Sequence, residues 1–188
     1  AELTEEEISS LAYEGEKVIH GTPSGVDNNI STYGGILRYE RGAGFERFEI
    51  EGGLPLVVGN TRRKRSTRRM VEGVRALRDR NTELVDGIID TLGRVSEEGL
   101  ASLLGRNLRR MGDLMNIGHG LLSALGVSSP ELDRMVYASR RAGALGAKLT
   151  GAGGGGCMIA LAEEKALKNV EGAIMREGGE PLRVNVSY

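Results

Sequence analysis

Apolar positions divide this chain into two kinds of pattern, and the change falls near residue 60. Thr4-x-x-Glu7 has the form of a capping box, and Ile8, Leu11, Ala12, Val18 and Ile19 follow at helical spacing. A helix over 4–19 with one face in a core is predicted. Ile36 to Glu40 reads as a strand by its branched and aromatic content, and Gly42 and Gly44 turn it into Phe45 to Ile50 as a hairpin. Leu54 to Val58 is a further strand. After Asn60 the period lengthens to three or four. Met70, Val71, Val74 and Leu77 mark one helix, and Leu84, Ile88, Ile89, Leu92 and Val95 a second. Leu100, Leu103, Leu104, Leu108, Met111, Leu114 and Met115 mark a third. Ser129-Pro130 is an N-cap followed by proline at the first helical position, opening a fourth helix. Ser139 to Gly146 reads as a helix end and Cys157 to Leu161 as a buried strand. A helix from about 163 to 177, a Gly178-Gly179 stop and a strand over 182–187 complete the chain. No internal repeat is present, and the shift near residue 60 is the expected domain boundary.

Composition narrows the class. With 39% apolar and 27% charged residues, the chain has a soluble globular balance. No apolar run reaches the roughly 18 residues of a membrane helix, and the first twenty residues lack a signal-peptide shape. A cytoplasmic protein without membrane partners is expected. One cysteine, Cys157, excludes an internal disulfide, and two histidines make a histidine-based metal site improbable. A net charge of −1 argues against a dedicated nucleic-acid binder. The basic run Arg62-Arg63-Lys64-Arg65, with Arg68 and Arg69, reads either as a solvated helix start or as a patch that neutralises an anionic substrate.

The stretch KLTGAGGGGC, Lys148 to Cys157, carries the strongest chemical signal. Its glycines permit positive φ and close backbone approach, and glycine-rich turns expose N–H groups that suit phosphate or carboxylate oxygens. A tight helix-to-strand connection is the plain structural alternative. Gly151-x-Gly153-x-x-Gly156 has dinucleotide spacing, but that fingerprint needs a strand before it and a helix after it, which this order does not supply. A Walker A loop also fails, since Cys157 and Met158 stand where lysine and a hydroxyl residue are required.

His20-Gly21-Thr22-Pro23-Ser24-Gly25-Val26-Asp27-Asn28-Asn29 is a shaped loop that delivers Asp27 at its end. That aspartate reads as a turn former, a helix N-cap or a positioned acid or base. Glu16 lies near the C-terminal end of the first predicted helix, where the helix dipole disfavours a carboxylate and a cation would favour it. A surface glutamate is the alternative.

Glu16, the loop HGTPSGVDNNISTYGG and KLTGAGGGGC together resemble the mevalonate kinase family of the GHMP small-molecule kinase superfamily. NTRRKRSTRRMVEGVR, from Asn60, and MNIGHGLLSALGV, from Met115, are similar to corresponding regions of that family, so the resemblance covers nearly the whole chain. It implies an α+β GHMP kinase fold: the end of a ribosomal S5-like domain over 1–60, then a ferredoxin-like, helix-rich C-terminal domain over 61–188. It implies ATP-dependent phosphorylation of the 5-hydroxyl of mevalonate, in isoprenoid biosynthesis. Asp27 matches the catalytic aspartate and Glu16 the Mg²⁺ ligand. His20, Ser24 and Thr150 match positions near the substrate, and Gly151, Gly153, Gly154, Gly155 and Gly156 the loop beside the transferring phosphate of ATP. The family's N-terminal lysine and its earlier Gly-rich nucleotide motif have no counterpart here. An upstream segment of the same protein is therefore an expected partner, and a homodimer through uncovered apolar surface is a second expectation. A sibling GHMP kinase acting on phosphomevalonate, another hydroxy acid or a sugar is the alternative enzyme. A non-catalytic GHMP-like binding module is the alternative outside catalysis.

Overall fold

The computed structural model describes residues 3–20, 24–40, 42–50, 52–64 and 66–186, with the side chains of Ile19 and His20 outside that description. The first helix, α1 (Glu5–His20), starts as the capping box predicts. Thr4 N–H donates to Glu7 Oε2 at 2.8 Å, and Glu7 N–H returns to Thr4 Oγ1 at 3.3 Å. Its apolar stripe is not in a core, contrary to the expectation. Leu11 is 60% and Val18 88% exposed, while Ser9 is buried. The buried face is polar because α1 packs on α2 (Val26–Tyr33) through side-chain hydrogen bonds. The hairpin β1 (Ile36–Glu40) and β2 (Gly44–Phe48) follows, in antiparallel register from Ile36 opposite Phe48. The chain separates by its contacts into one unit ending at Gly53 and another over Leu54–Val186.

The second unit is built on a four-stranded antiparallel sheet of β3 (Leu54–Asn60), β4 (Gly146–Leu149), β5 (Cys157–Leu161) and β6 (Glu180–Val186). Their order is β4-β5-β3-β6. β3 is central, with Val58 opposite both Ile159 and Leu182. This moves the contact boundary to Gly53, before the expected division at residue 60, because the backbone bonds of β3 belong to the second sheet.

Helices α6 (Pro130–Arg141) and α7 (Glu164–Arg176) cover the sheet. Val57, Leu149 and Met158 meet Leu132, Val136 and Ile174 in a core where each is fully buried. Ser129 caps α6 by accepting the Leu132 N–H at 3.3 Å, with Pro130 in the first turn where its missing N–H costs nothing. α3 (Thr67–Arg80), α4 (Thr82–Leu104) and α5 (Leu108–Ala124) are joined through α3 on α4, α4 on α5, and α5 on β4.

Two boundaries differ from the sequence reading. Leu100, Leu103 and Leu104 continue α4 rather than opening the third helix. The break comes at Gly105, then Arg106 at φ 53°, with Asn107 capping α5 by accepting the Arg110 N–H at 3.0 Å. Apolar periodicity runs through this point, so only the turn and cap residues mark it. The second difference lies before the glycine stretch. α6 stops at Arg141, Gly143 takes φ 103°, and Gly146–Leu149 is a strand. The glycine stretch therefore links two antiparallel strands rather than a helix and a strand. A four-residue strand of Gly, Ala, Lys and Leu has almost no local signature. The dinucleotide fingerprint still fails, since β5 and not a helix follows the loop.

Candidate functional site

In the first unit, α2 presents Asp27. Gly25 precedes the helix at φ 90°, and a Cβ there would stand 3.0 Å from the Tyr39 hydroxyl oxygen. That hydroxyl donates to the Ser24 carbonyl, so a strand of the hairpin closes over the entry to α2. Ser24 Oγ in turn accepts the Val26 N–H at 3.3 Å. Asp27 is exposed in the first turn, where unpaired backbone N–H groups favour a carboxylate. Its two successors fix it. Asn28 is buried and donates from Nδ2 to Ser9 Oγ at 2.9 Å, and Asn29 Nδ2 donates to the Gly25 carbonyl at 2.7 Å. Glu16 follows Ser9 by two helical turns, at about 3.6 residues per turn, which puts it on the α1 face that meets α2. It is partly buried. The sequence-predicted substrate residue His20 ends α1, with its side chain outside the described residues.

In the second unit, the glycine loop over 150–156 is closed at its base by Thr150 N–H donating to the Cys157 carbonyl at 3.0 Å. Gly151, Gly153, Gly154, Gly155 and Gly156 all have positive φ. Space as well as conformation requires glycine. A Cβ on Gly153 would lie 1.9 Å from the Val127 carbonyl oxygen, and one on Gly154 2.6 Å from Met70 Sδ. Gly154 N–H donates to Val127 O at 2.8 Å. Its role is thus to hold the loop, not to offer that N–H to an anion. On the other side the Gly156 carbonyl accepts both the N–H and the hydroxyl of Thr61, at 2.8 and 2.9 Å. Arg63 packs beside Gly155, so part of the basic run lies along the loop rather than on a helix start. Its guanidinium is 3.0 Å from Glu131.

The strand feeding the loop carries a buried amine. Lys148 Nζ donates to the Leu149 carbonyl at 2.9 Å, and burial holds its pKa below the ordinary lysine value. Residues absent from the sequence-derived candidates support each segment by itself: Ser9 and Tyr39 hold α2 in the first unit, while in the second Thr61 holds the glycine loop and Asn116 and His119 bond the backbone of β4. Their signal is tertiary contact, which no local motif carries.

Among the described residues no helix is long and apolar enough to cross a membrane, and no group of three or more His, Cys, Asp or Glu could hold a metal. One or two carboxylates suit Mg²⁺, which keeps several waters and uses substrate oxygens.

Residues 97–180 match the family model of the GHMP kinases C-terminal domain. The chain is 47% identical to the mevalonate kinase of Thermococcus gammatolerans over 99% of its own length and 56% of that protein, and 45% identical to that of Thermococcus sibiricus with the same coverage. It thus spans little more than half the length of these relatives. Among solved structures, L. major mevalonate kinase in complex with R-mevalonate aligns with a TM-score of 0.92 at 34% identity, covering 98% of this chain and 59% of that one. Methanococcus jannaschii mevalonate kinase aligns at 0.85 and 34% identity, covering 100% and 57%. By these likenesses the chain carries a GHMP kinases C-terminal domain over residues 97–180 and is similar along nearly its whole length to part of the mevalonate kinases.

Proposed function

We propose that the protein, in the cytoplasm, phosphorylates the 5-hydroxyl of mevalonate with ATP to give 5-phosphomevalonate, a step in isoprenoid biosynthesis. The observation that carries this reading is likeness over 98% of the chain to a mevalonate kinase solved with R-mevalonate, combined with an exposed Asp27 whose two successors, Asn28 and Asn29, are both tied down. Asp27 takes or orients the hydroxyl proton, help worth about 10²- to 10⁴-fold in rate. Ser24 and Thr150, with His20, border the substrate. The glycine loop, apart from the Gly154 N–H that is bonded to Val127, offers N–H groups to the phosphoryl oxygens. Glu16 would hold Mg²⁺, which when bound neutralises the charge of the nucleotide phosphates.

The exposed stripe of Leu11 and Val18 on α1 supports a covering partner of the kind the relatives carry in the remainder of their length. A homodimer through the same stripe is the competing arrangement, and sedimentation showing a clean monomer would exclude it. The function is tested by mevalonate-dependent ADP release with Mg²⁺ present, from the 188-residue chain and from the chain supplied with the corresponding remainder of a relative. Turnover in either sample supports the reading. Equal or faster turnover of phosphomevalonate or a sugar, or none with mevalonate in both samples, overturns it.

A further inference from the structure

Among the described residues β4 is an edge strand: β5 pairs on one side and no described strand pairs on the other. Lys148 lies opposite Ile159, and Thr150 donates to Cys157, so the alternate residues Ala147 and Leu149 turn their backbone groups outward. All four outward groups are met by side chains. Ala147 N–H donates to Asn116 Oδ1 at 3.1 Å, and its carbonyl accepts from Arg140 Nη2 at 2.7 Å. Leu149 N–H donates to His119 Nδ1 at 3.3 Å, and its carbonyl accepts from Lys148 Nζ at 2.9 Å. Asn116 and His119 stand three apart on α5, the spacing that shares one helix face. A row of side chains thus takes the place of a fifth strand on the segment entering the glycine loop.

His119 is 2% exposed, and its two nitrogens have fixed tasks. A backbone N–H can only donate, so Nδ1 carries the lone pair and the ring proton sits on Nε2. Nε2 is 3.1 Å from Asp133 Oδ1, the same oxygen that accepts the Ser128 hydroxyl. We infer that His119, held in its Nε2–H tautomer by Asp133, is a positioning residue for the glycine loop, fixing the backbone of Leu149 directly before Thr150. A doubly protonated ring has no acceptor at Nδ1 and must release Leu149. Charged groups face the ring from two elements, Asp133 and Arg140 on α6 and Lys148 on β4. Burial and the two cations outweigh Asp133 and lower the histidine pKa, so the neutral ring persists at pH 7.

The link to turnover rests on the kinase reading; the link to the loop does not. Nitrogen-15 NMR of the unmodified protein at neutral pH should show His119 protonated at Nε2 and bare at Nδ1. His119→Phe keeps a ring without the acceptor, whereas His119→Asn places an amide oxygen where Nδ1 stood. Leu149 amide exchange should accelerate about tenfold or more in the Phe variant and remain slow in the Asn variant, the scale of one lost hydrogen bond. With mevalonate, kcat should fall about tenfold or more in the Phe variant with KM within about twofold, and the Asn variant should recover most of the loss. Protonation at Nδ1, unchanged Leu149 exchange in His119→Phe, or equal kcat in the two variants would overturn the inference. Should the Phe variant fail to fold, the tautomer of the unmodified protein and the Asn variant's exchange decide it. Absence of turnover in the unmodified protein sinks the kinase reading alone, since tautomer and exchange still judge the loop.

Discussion

Asn28 reaches across from α2 to place its Nδ2 2.9 Å from Ser9 Oγ on α1. Ser9 Oγ in turn donates to Asn29 Oδ1 at 3.0 Å, so a single hydroxyl links both asparagines that follow Asp27. Asn28→Ala should destabilise the first unit by about 1–3 kcal/mol, because the contact is buried. It should also lower turnover by loosening Asp27. Urea unfolding and a mevalonate assay check the two effects, and a variant unchanged in both would remove Asn28 from the support of Asp27.

Asp27→Asn keeps the size of the side chain and removes its basicity. Turnover should drop by about 10²-fold or more while mevalonate binding stays near that of the unmodified protein. Steady-state kinetics with a direct binding titration separate the two. A near-normal kcat would take Asp27 out of the chemistry.

Glu16→Ala should raise the Mg²⁺ concentration needed for half-maximal rate and leave thermal stability almost unchanged, since the side chain sits in no core. The magnesium dependence of the rate is the measurement. An unshifted titration would make Glu16 an ordinary surface carboxylate.

Gly153→Ala and Gly120→Ala form a matched pair. The first sets a methyl 1.9 Å from the Val127 carbonyl at φ 79°, and should both destabilise the protein by about 2 kcal/mol or more and disable the loop. Gly120 lies within α5 with no atom within 4 Å of an added Cβ, so alanine there should stabilise by about 0.5–1 kcal/mol. Thermal melts of the two variants give the comparison, and equal shifts would contradict the packing described for the loop.

His119 predicts an acid sensitivity of stability. Its folded-state pKa lies below the ordinary value near 6.5, so the folded chain binds fewer protons there than the unfolded chain. This contribution is present in full above about pH 6.5 and is lost as pH falls through the depressed folded value. Melting temperatures of the unmodified protein and of His119→Asn, compared between neutral pH and about pH 5, should converge toward acid. Parallel curves would show that the ring does not titrate as described.

Much of the architecture was legible from periodicity and punctuation. Thr4 and Glu7 cap α1 as their spacing required, Ser129-Pro130 opens α6, and Gly42 and Gly44 turn the hairpin. The failures share one cause. The end of α4 at Leu104 lies inside an unbroken apolar rhythm, and β4 is too short and too small-residued to announce itself. The stripe on α1 was read as core because periodicity reports which residues share a face, not what covers it.

The sequence by itself determined which residues are the candidates for chemistry: Asp27, Glu16 and the glycines of the loop stand out by their types and spacings. Only tertiary structure decided what holds them. Asn28 on Ser9, Gly153 against Val127, and His119 on Leu149 join residues far apart along the chain. Side-chain period and turn chemistry act over a few residues, whereas a buried hydrogen bond or a 1.9 Å steric limit exists only once the chain has brought its two sides together.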